Sequence, residues 1–328
     1  MLKQNQSNLV QASILGFILG DALGVPVEFE SREFLNEYPV IGMSGFGTYN
    51  QAPGTWSDDT SMMLCVMIWL TKHSVNTKEE SLTGKELLCD LADRFVNWYQ
   101  HGYLTPHGHV FDIGNATRTA LDHYIEYGNV YTCGISEERK ACGNGSLMRS
   151  LPFAFRHLEM GLDYRFQLLR ATSEITHNHL IPSLCSMFYV TMLSALFEGK
   201  DKGEAYHVAT NAVLHLIRNI NASTEDVSID ALHRILTNEV IALSVEEIES
   251  SGYVIHTLEA VLWCFMNSES YAEAVLKAVN LGNDTDTIAA LTGGLAGCYY
   301  GREGLPVEWI DTLVGKDEIL RLINDFIG

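Results

Sequence analysis

The chain has 328 residues, 47% of them hydrophobic, and 41 Asp and Glu against 21 Lys and Arg give it a formal net charge of −20. That length and hydrophobic share fit a globular protein with a sizeable core. The acidic balance disfavours a nucleic-acid binder, which needs a basic face, and for the same reason a protein of anionic membrane surfaces.

The seven cysteines, Cys65, Cys89, Cys133, Cys142, Cys185, Cys264 and Cys298, form no C-x-x-C pair. They are expected as buried free thiols of a reducing compartment. Residues 1–8 are polar and no A-x-A site follows, so no signal peptide is read. The apolar run over 14–27 is short for a bilayer and contains Asp21. The expectation is a cytoplasmic protein with neither membrane nor nucleic acid as a partner.

In chain order, residues 10–24 read as a helix. Ala12, Gly16, Gly20 and Gly24 recur every fourth residue, which leaves one face nearly bare for another helix. Pro26 stops it. Glu28 follows between Val27 and Phe29, either as a solvated loop acid or as a carboxylate aimed into a site. Residues 31–55, with Gly42, Gly45, Gly47 and Gly54, read as a long surface loop of the kind that often carries function. Trp56-Ser57-Asp58-Asp59-Thr60 then opens a helix to about residue 72. Ser57 is expected as its N-cap, and the two acids fall in the first turn, where the helix dipole favours negative charge. Alone, that stretch is a helix start and no more.

A polar link over 73–81 precedes a helix over 84–101. Residues 101–115 read as a loop ending Phe111-Asp112-Ile113-Gly114-Asn115, before a helix over 116–127. Asp at such a place commonly serves as a turn or cap residue. Gly143-Asn144-Gly145-Ser146 is read as opening a helix whose backbone N–H groups suit an anion such as a phosphate. No Gly-Lys-Ser/Thr follows, so it is not a Walker A loop, and a plain turn explains it equally well. A helix over 164–176 ends at Thr176-His177-Asn178-His179. No H-E-x-x-H motif or Cys partner makes these histidines a zinc site, which leaves site lining or capping. Apolar spacing of three and four predicts helices over 184–197, 205–217, 230–240, 254–266 and 271–279.

Gly282-Asn283-Asp284-Thr285-Asp286-Thr287 repeats the elements of the earlier stretch: carboxylates, hydroxyls and a helix start. The helix from Ile288 carries a second small-residue stripe, Gly293, Gly297 and Gly301, with Ala289, Ala290 and Ala296 nearby. Residues 306–328 read as a closing helix. With no sustained strand alternation, repeat or linker, the expected fold is all-α, one domain over 1–328 of about a dozen helices.

Brought together, the two acidic stretches supply four carboxylates and several hydroxyls, a set that repels itself unless it holds a cation. Oxygen ligands without His or Cys suit Mg²⁺, Mn²⁺ or Ca²⁺. The expectation is a metal site built from two helix starts and steadied by a close crossing of the two bare-faced helices.

Six motifs in this order resemble the ADP-ribosylglycohydrolase family over nearly the whole length. Its members remove ADP-ribose from modified proteins or related conjugates. The motifs are Gly20-Asp21-Ala22-Leu23-Gly24-Val25-Pro26-Val27-Glu28, Trp56-Ser57-Asp58-Asp59-Thr60, Phe111-Asp112-Ile113-Gly114-Asn115, Gly143-Asn144-Gly145-Ser146-Leu147-Met148-Arg149, Thr176-His177 and Gly282-Asn283-Asp284-Thr285-Asp286-Thr287. The resemblance implies two Mg²⁺ (or Mn²⁺) ions in a cleft, with Ser57, Asp58, Asp59, Asp284, Asp286 and Thr287 as metal ligands. Glu28 and Asp112 match the catalytic acids. Gly114, Asn115, the 143–149 segment (Gly143, Asn144, Gly145, Ser146, Leu147, Met148, Arg149) and His177 match the substrate side. The implied activity is hydrolysis of an ADP-ribosyl linkage, arginine-linked first, on an ADP-ribosylated protein or an ADP-ribose conjugate. Two rivals remain. One is a haloacid-dehalogenase-like phosphatase, whose nucleophile motif begins like Asp284-Thr285-Asp286 but needs an apolar strand before it. The other is a non-catalytic partner-binding or toxin-neutralising protein on the same fold.

Overall fold

The structure is a computed structural model, and it describes residues 4–73, 84–156, 158–221 and 229–328. These residues form 15 α-helices and short 3₁₀ turns, with isolated β-bridges but no strand among them. The helices are α1 (Gln4–Gly24), α2 (Arg32–Glu37), α3 (Asp58–Lys72), α4 (Lys85–His101) and α5 (Asn115–Tyr127) in the first part. The middle holds α6 (Glu138–Ala141), α7 (Leu162–Glu174), α8 (Leu180–Phe197), α9 (Lys202–Asn221) and α10 (His233–Leu236). The last third holds α11 (Val254–Met266), α12 (Tyr271–Val279), α13 (Thr285–Tyr300), α14 (Val307–Thr312) and α15 (Lys316–Ile327). The all-α expectation is borne out.

The α1–α13 pair organises the rest. The two helices run antiparallel, and their small residues face one another in steps of four. A Cβ added at Gly16 would lie 2.4 Å from the Gly293 carbonyl oxygen, one at Gly20 2.1 Å from that of Ala289, and one at Gly297 2.3 Å from that of Ala12. At the end of the stripe, a Cβ on Gly24 would lie 2.3 Å from the Cα of Asp286. The expected close crossing is therefore present. Gly301 is not part of it: it has φ 75 at the end of α13 and serves as the stop. Around this pair, α8 is buried along its whole length, as suits a helix apolar on every side.

Several boundaries differ from expectation for identifiable reasons. The 31–55 loop contains α2, capped by the Ser31 hydroxyl. Residues 230–240 are a 3₁₀ turn, the single turn α10 and a second 3₁₀ turn, interrupted by Asn238 at φ 64. The closing segment divides into α14 and α15 at Gly315, which takes φ 72. The 143–146 motif does not open a helix; it runs through turns into a 3₁₀ segment over Leu151–Phe155. From residue 74 on, the expected polar link lies outside the described residues. The segment Asn5–Val27 and α8 are each long and apolar enough to cross a membrane, but the rest of the fold buries 89% and 100% of them. The first apolar run is thus longer than expected from sequence, because α1 begins at Gln4, well before residue 10. All seven cysteines are free, and all but Cys89 are buried.

Because backbone cannot yield as a side chain can, Gly20→Ala is expected to cost about 1–3 kcal/mol or more, read as a lowered Tm. Gly203→Ala, near the start of α9 with only Asp201 Oδ1 at 3.5 Å, is the control and is expected to leave Tm unchanged or raise it.

Candidate active site

Three local devices bring the acids together. The first is the start of α3. The Ser57 hydroxyl caps it, accepting from the Asp59 N–H at 3.3 Å. Asp21, fully buried within α1, grips the same turn from outside. Its carboxylate accepts from the Ser57 N–H at 2.9 and 3.1 Å, from the Thr60 N–H at 3.0 Å and from the Thr60 hydroxyl at 2.5 Å. Asp58 and Asp59 are thereby fixed to α1.

The second device is the turn before α13. Gly282 and Asn283 both take left-handed backbone, at φ 77 and 61, where glycine and asparagine are the tolerant residues. The Phe29 N–H donates to the Asn283 carbonyl at 2.7 Å, and the Asn283 N–H donates back to that of Glu30 at 2.8 Å. Phe29 is itself left-handed, at φ 67, a conformation a bulky residue rarely adopts without support from its surroundings. The outcome is that Glu28, Asp284 and Asp286 offer oxygens within 4.8 Å of one another. The Thr287 hydroxyl donates to Asp59 Oδ2 at 3.2 Å, so the two acidic stretches touch.

The third device is the 143–145 turn. Asn144 donates from Nδ2 to Asp284 Oδ2 at 2.7 Å and to the Thr257 hydroxyl at 2.9 Å, and its N–H donates to the Gly252 carbonyl at 3.1 Å. Together the devices enclose a cleft of about 400 Å³, within the range of small-molecule sites.

The acids in it destabilise one another. Burial, then Asp112 and Asp284, push the Glu28 carboxyl up to about 10. Asp58 is raised by burial, Asp112 and Asp21, Asp59 by burial, Asp21 and Asp58, and Asp286 by burial, Glu28 and Asp59. Burial also raises Asp112 and Asp284, the latter partly relieved by hydrogen bonds from Asn144 and Thr287. Glu28 Oε2, Asp59 Oδ1 and Asp286 Oδ2 are buried without any hydrogen-bond donor. Orphaned anionic oxygens from an all-oxygen donor set fit a hard divalent cation and leave zinc or copper poorly matched.

The cleft is lined by fourteen of the residues singled out from sequence: Glu28, Asp58, Asp59, Asp112, Gly114, Asn115, Gly143, Asn144, Gly145, Met148, His177, Asp284, Asp286 and Thr287. Ser57 is buried beside the cleft rather than lining it, with its hydroxyl 3.5 Å from Asp59 Oδ2, the oxygen to which Thr287 also donates. Ser146, Leu147 and Arg149 are buried behind the wall rather than on it. The two histidines divide the roles left open for them. His177 lines the cleft, and His179 caps α8, its Nδ1 accepting from the Ile181 N–H at 3.2 Å.

Three residues escaped the sequence reading. Asp21 carried one signal, a carboxylate in a run apolar on all sides. Lys140, on α6, brings a positive charge to the cleft, paired with Glu137 at 2.7 Å. Tyr49, from the glycine-rich loop, packs its ring 5.2 Å from Phe111. Burial and the neighbouring Asp112 and Glu28 hold its phenol well above the usual range; nothing local in its sequence marks it.

The sequence model of the ADP-ribosylglycohydrolase family matches residues 2–328. The chain is 33% identical over 318 residues to ADP-ribosylarginine hydrolase Tri1 of Pseudomonas putida (strain GB-1), covering 96% of this chain and 76% of that protein. It is 28% identical to the ADP-ribosyl-[dinitrogen reductase] glycohydrolase of Rhodospirillum rubrum, covering 93% and 90%. Among solved structures, an ADP-ribosylglycohydrolase-related protein complex superposes with a TM-score of 0.73 at 28% identity, covering 99% of this chain and 98% of that one.

Carboxyls held above their ordinary range keep their protons to higher pH in the folded state than in the unfolded one. The stability they give is full below the unfolded value and is lost as pH rises toward the folded one, about 10 for Glu28. His177, pushed down to about 3 by burial and Arg149, acts in the opposite sense below its own unfolded value. Above that value, from about pH 7 to about pH 9, the protein in EDTA is expected to lose Tm steadily, and saturating Mg²⁺ should raise Tm most at the upper end. Asp286→Asn should raise Tm in EDTA and abolish the Mg²⁺ effect. Thermal unfolding at several pH values checks both.

Proposed function

This chain belongs to the ADP-ribosylglycohydrolase family, and we propose that it is a metal-dependent hydrolase removing ADP-ribose from arginine side chains of modified proteins. The observation that carries the reading is the set of donorless oxygens on Glu28, Asp59 and Asp286 at the floor of the cleft. The choice of arginine follows the relatives, two of which are named ADP-ribosylarginine hydrolases.

In this reading Asp58, Asp59, Asp284, Asp286 and Thr287 hold Mg²⁺ or Mn²⁺, two ions in all, and Ser57 presents the first pair as their helix cap. The ions supply positive charge that keeps these acids ionised and orients oxygens of the sugar. Water replaces the arginine nitrogen at the ribose carbon, giving ADP-ribose and the free side chain. The ribosyl C–N bond breaks through an oxocarbenium-like state, which needs a placed water and a group to move its proton. Glu28 is assigned the proton and Asp112 the ribose. General acid–base help of this kind contributes about 10²–10⁴ in rate. Lys140 offers a countercharge to the diphosphate in an otherwise acidic cleft. The backbone hydrogen bonds of Phe29 and Glu30 with Asn283 keep Glu28 from swinging away from the sugar. We place the protein in the cytoplasm on the strength of its free thiols.

Peptides carrying ADP-ribosyl-arginine or ADP-ribosyl-serine, incubated with the protein and analysed by mass spectrometry, test the assignment. The arginine peptide should lose ADP-ribose, and EDTA should stop it. Asp58→Ala should abolish turnover with the fold intact by circular dichroism. Cleavage of the serine peptide alone would move the linkage, and cleavage of neither would remove the activity.

A further inference from the structure

Arg149 is a fully buried cation that no carboxylate pairs with among the described residues. Its guanidinium lies over the Phe95 ring at 4.9 Å. Nη1 donates to the Gly145 carbonyl at 2.9 Å, and Nη2 donates to the Thr172 carbonyl at 3.0 Å and to the Thr176 hydroxyl oxygen at 2.8 Å. That hydroxyl lies 2.7 Å from His177 Nδ1. A buried charge is costly to keep without a counter-ion, so its donors point to a task.

The direction of the relay is set by counting hydrogens. The Thr176 oxygen already accepts from Arg149, and the residue is wholly buried. If His177 Nδ1 carried a proton, the oxygen would face two donors and its own hydrogen would have no acceptor, at the full desolvation cost of an unmade bond. The hydroxyl therefore donates to Nδ1, and the ring proton sits on Nε2. Nε2 has no protein partner among the described residues. It faces the 143–145 turn: a Cβ on Gly143 would lie 3.3 Å from it and one on Gly145 3.2 Å, with His177 Cε1 closer still at 2.8 Å. Only glycine leaves the ring its position at 145.

We propose that Arg149 and Thr176 are positioning residues that lock His177 as a neutral imidazole with its Nε2–H presented to an oxygen acceptor of the ADP-ribosyl group. This rests on the reading of the cleft as an ADP-ribose site. His177 then serves as a fixed donor and not as a proton acceptor, and Arg149, although part of the 143–149 motif, touches no substrate. The same guanidinium holds the Gly145 carbonyl, so the turn and the histidine that flank the ligand are set by one group.

The test begins with the unaltered protein free of ligand. A two-bond ¹⁵N–¹H spectrum of histidine-labelled protein, with His177→Gln to identify the ring, should show His177 as the Nε2–H tautomer at neutral pH. An Nδ1–H or doubly protonated ring would overturn the proposal. Thr176→Val keeps the shape and removes the relay. It should lose the single tautomer and raise the Kd for ADP-ribose about tenfold, with the Kd for Mg²⁺ unchanged by calorimetry. Thr176→Ser should restore both. A Thr176→Val protein that binds ADP-ribose as the unaltered protein does would also overturn it. If the unaltered protein fails to bind ADP-ribose, the functional reading falls, and with it the named acceptor, while the ligand-free spectrum still decides the lock.

Discussion

The contact between α1 and α13 is one of backbone on backbone, and every acid in the cleft except Asp112 is referred to it. Where side chains intervene between helices, they can change rotamer and let the axes slide. Here the carbonyl of one helix meets the Cα of the next at Gly16, Gly20 and Gly293, and there is nothing to rearrange. The stripe ends where the chemistry begins, with Gly24 against the Cα of Asp286 and the Thr285 hydroxyl on the Gly24 carbonyl at 2.8 Å. From α1 the reference passes to α3 through Asp21, and from the turn before α13 to Glu28 through the two backbone hydrogen bonds with Asn283. Packed interiors transmit such constraints because they have few voids to absorb movement.

That stiffness is needed because the site opposes folding. Six carboxylates at one cleft push one another's proton affinities upward, and three of their oxygens lack any donor. A flexible scaffold would relieve the repulsion by parting, and the proposed cation site would be lost with it. The stabilising contribution comes from elsewhere, chiefly from α8 and the apolar faces around it, which are buried throughout. The arrangement resembles other functional sites in which unfavourable local geometry persists because the surroundings determine it.

Features with a local cause could be read from sequence. Ser57 before two acids and an apolar run specified a cap and a first turn, and the four-residue spacing of glycines specified a close helix crossing. The bounds of α11 and α12 follow from apolar spacing alone. What could not be read depends on distant partners. The 230–240 stretch looks helical, but Asn238 breaks it at φ 64, the Tyr206 hydroxyl donates to the Ile235 carbonyl at 2.7 Å, and just beyond it Trp263 and Arg32 donate to the carbonyls of Leu243, Val245 and Ile248 at 2.9, 2.5 and 2.6 Å. Side chains remote in sequence thus satisfy its backbone without a helix. The 143–146 turn is likewise held by Gly252 and Thr257, more than a hundred residues on. Lys140 reaches the cleft, and Tyr49 its acids Glu28 and Asp112, only through tertiary packing.

Asp21 shows how structural and functional carboxylates can be told apart when both are buried. It is no more exposed than Asp59 or Asp286, and its neighbours include the same acids. Yet three donor groups from Ser57 and Thr60 serve it, and its carboxyl rises only to about 6, burial being largely offset by those bonds. Asp59 and Asp286 are held well above the usual carboxylate range by burial and neighbouring acids, and each retains an oxygen with no donor. Burial alone does not mark a ligand, because a buried acid with a full set of donors is already satisfied. The mark is an acid that the fold desolvates and then leaves unserved, which a proton or a cation from outside the chain would complete. By that criterion Asp21 belongs to the scaffold and Glu28, Asp59 and Asp286 to the site, although all four stand in motifs of equal weight in the sequence.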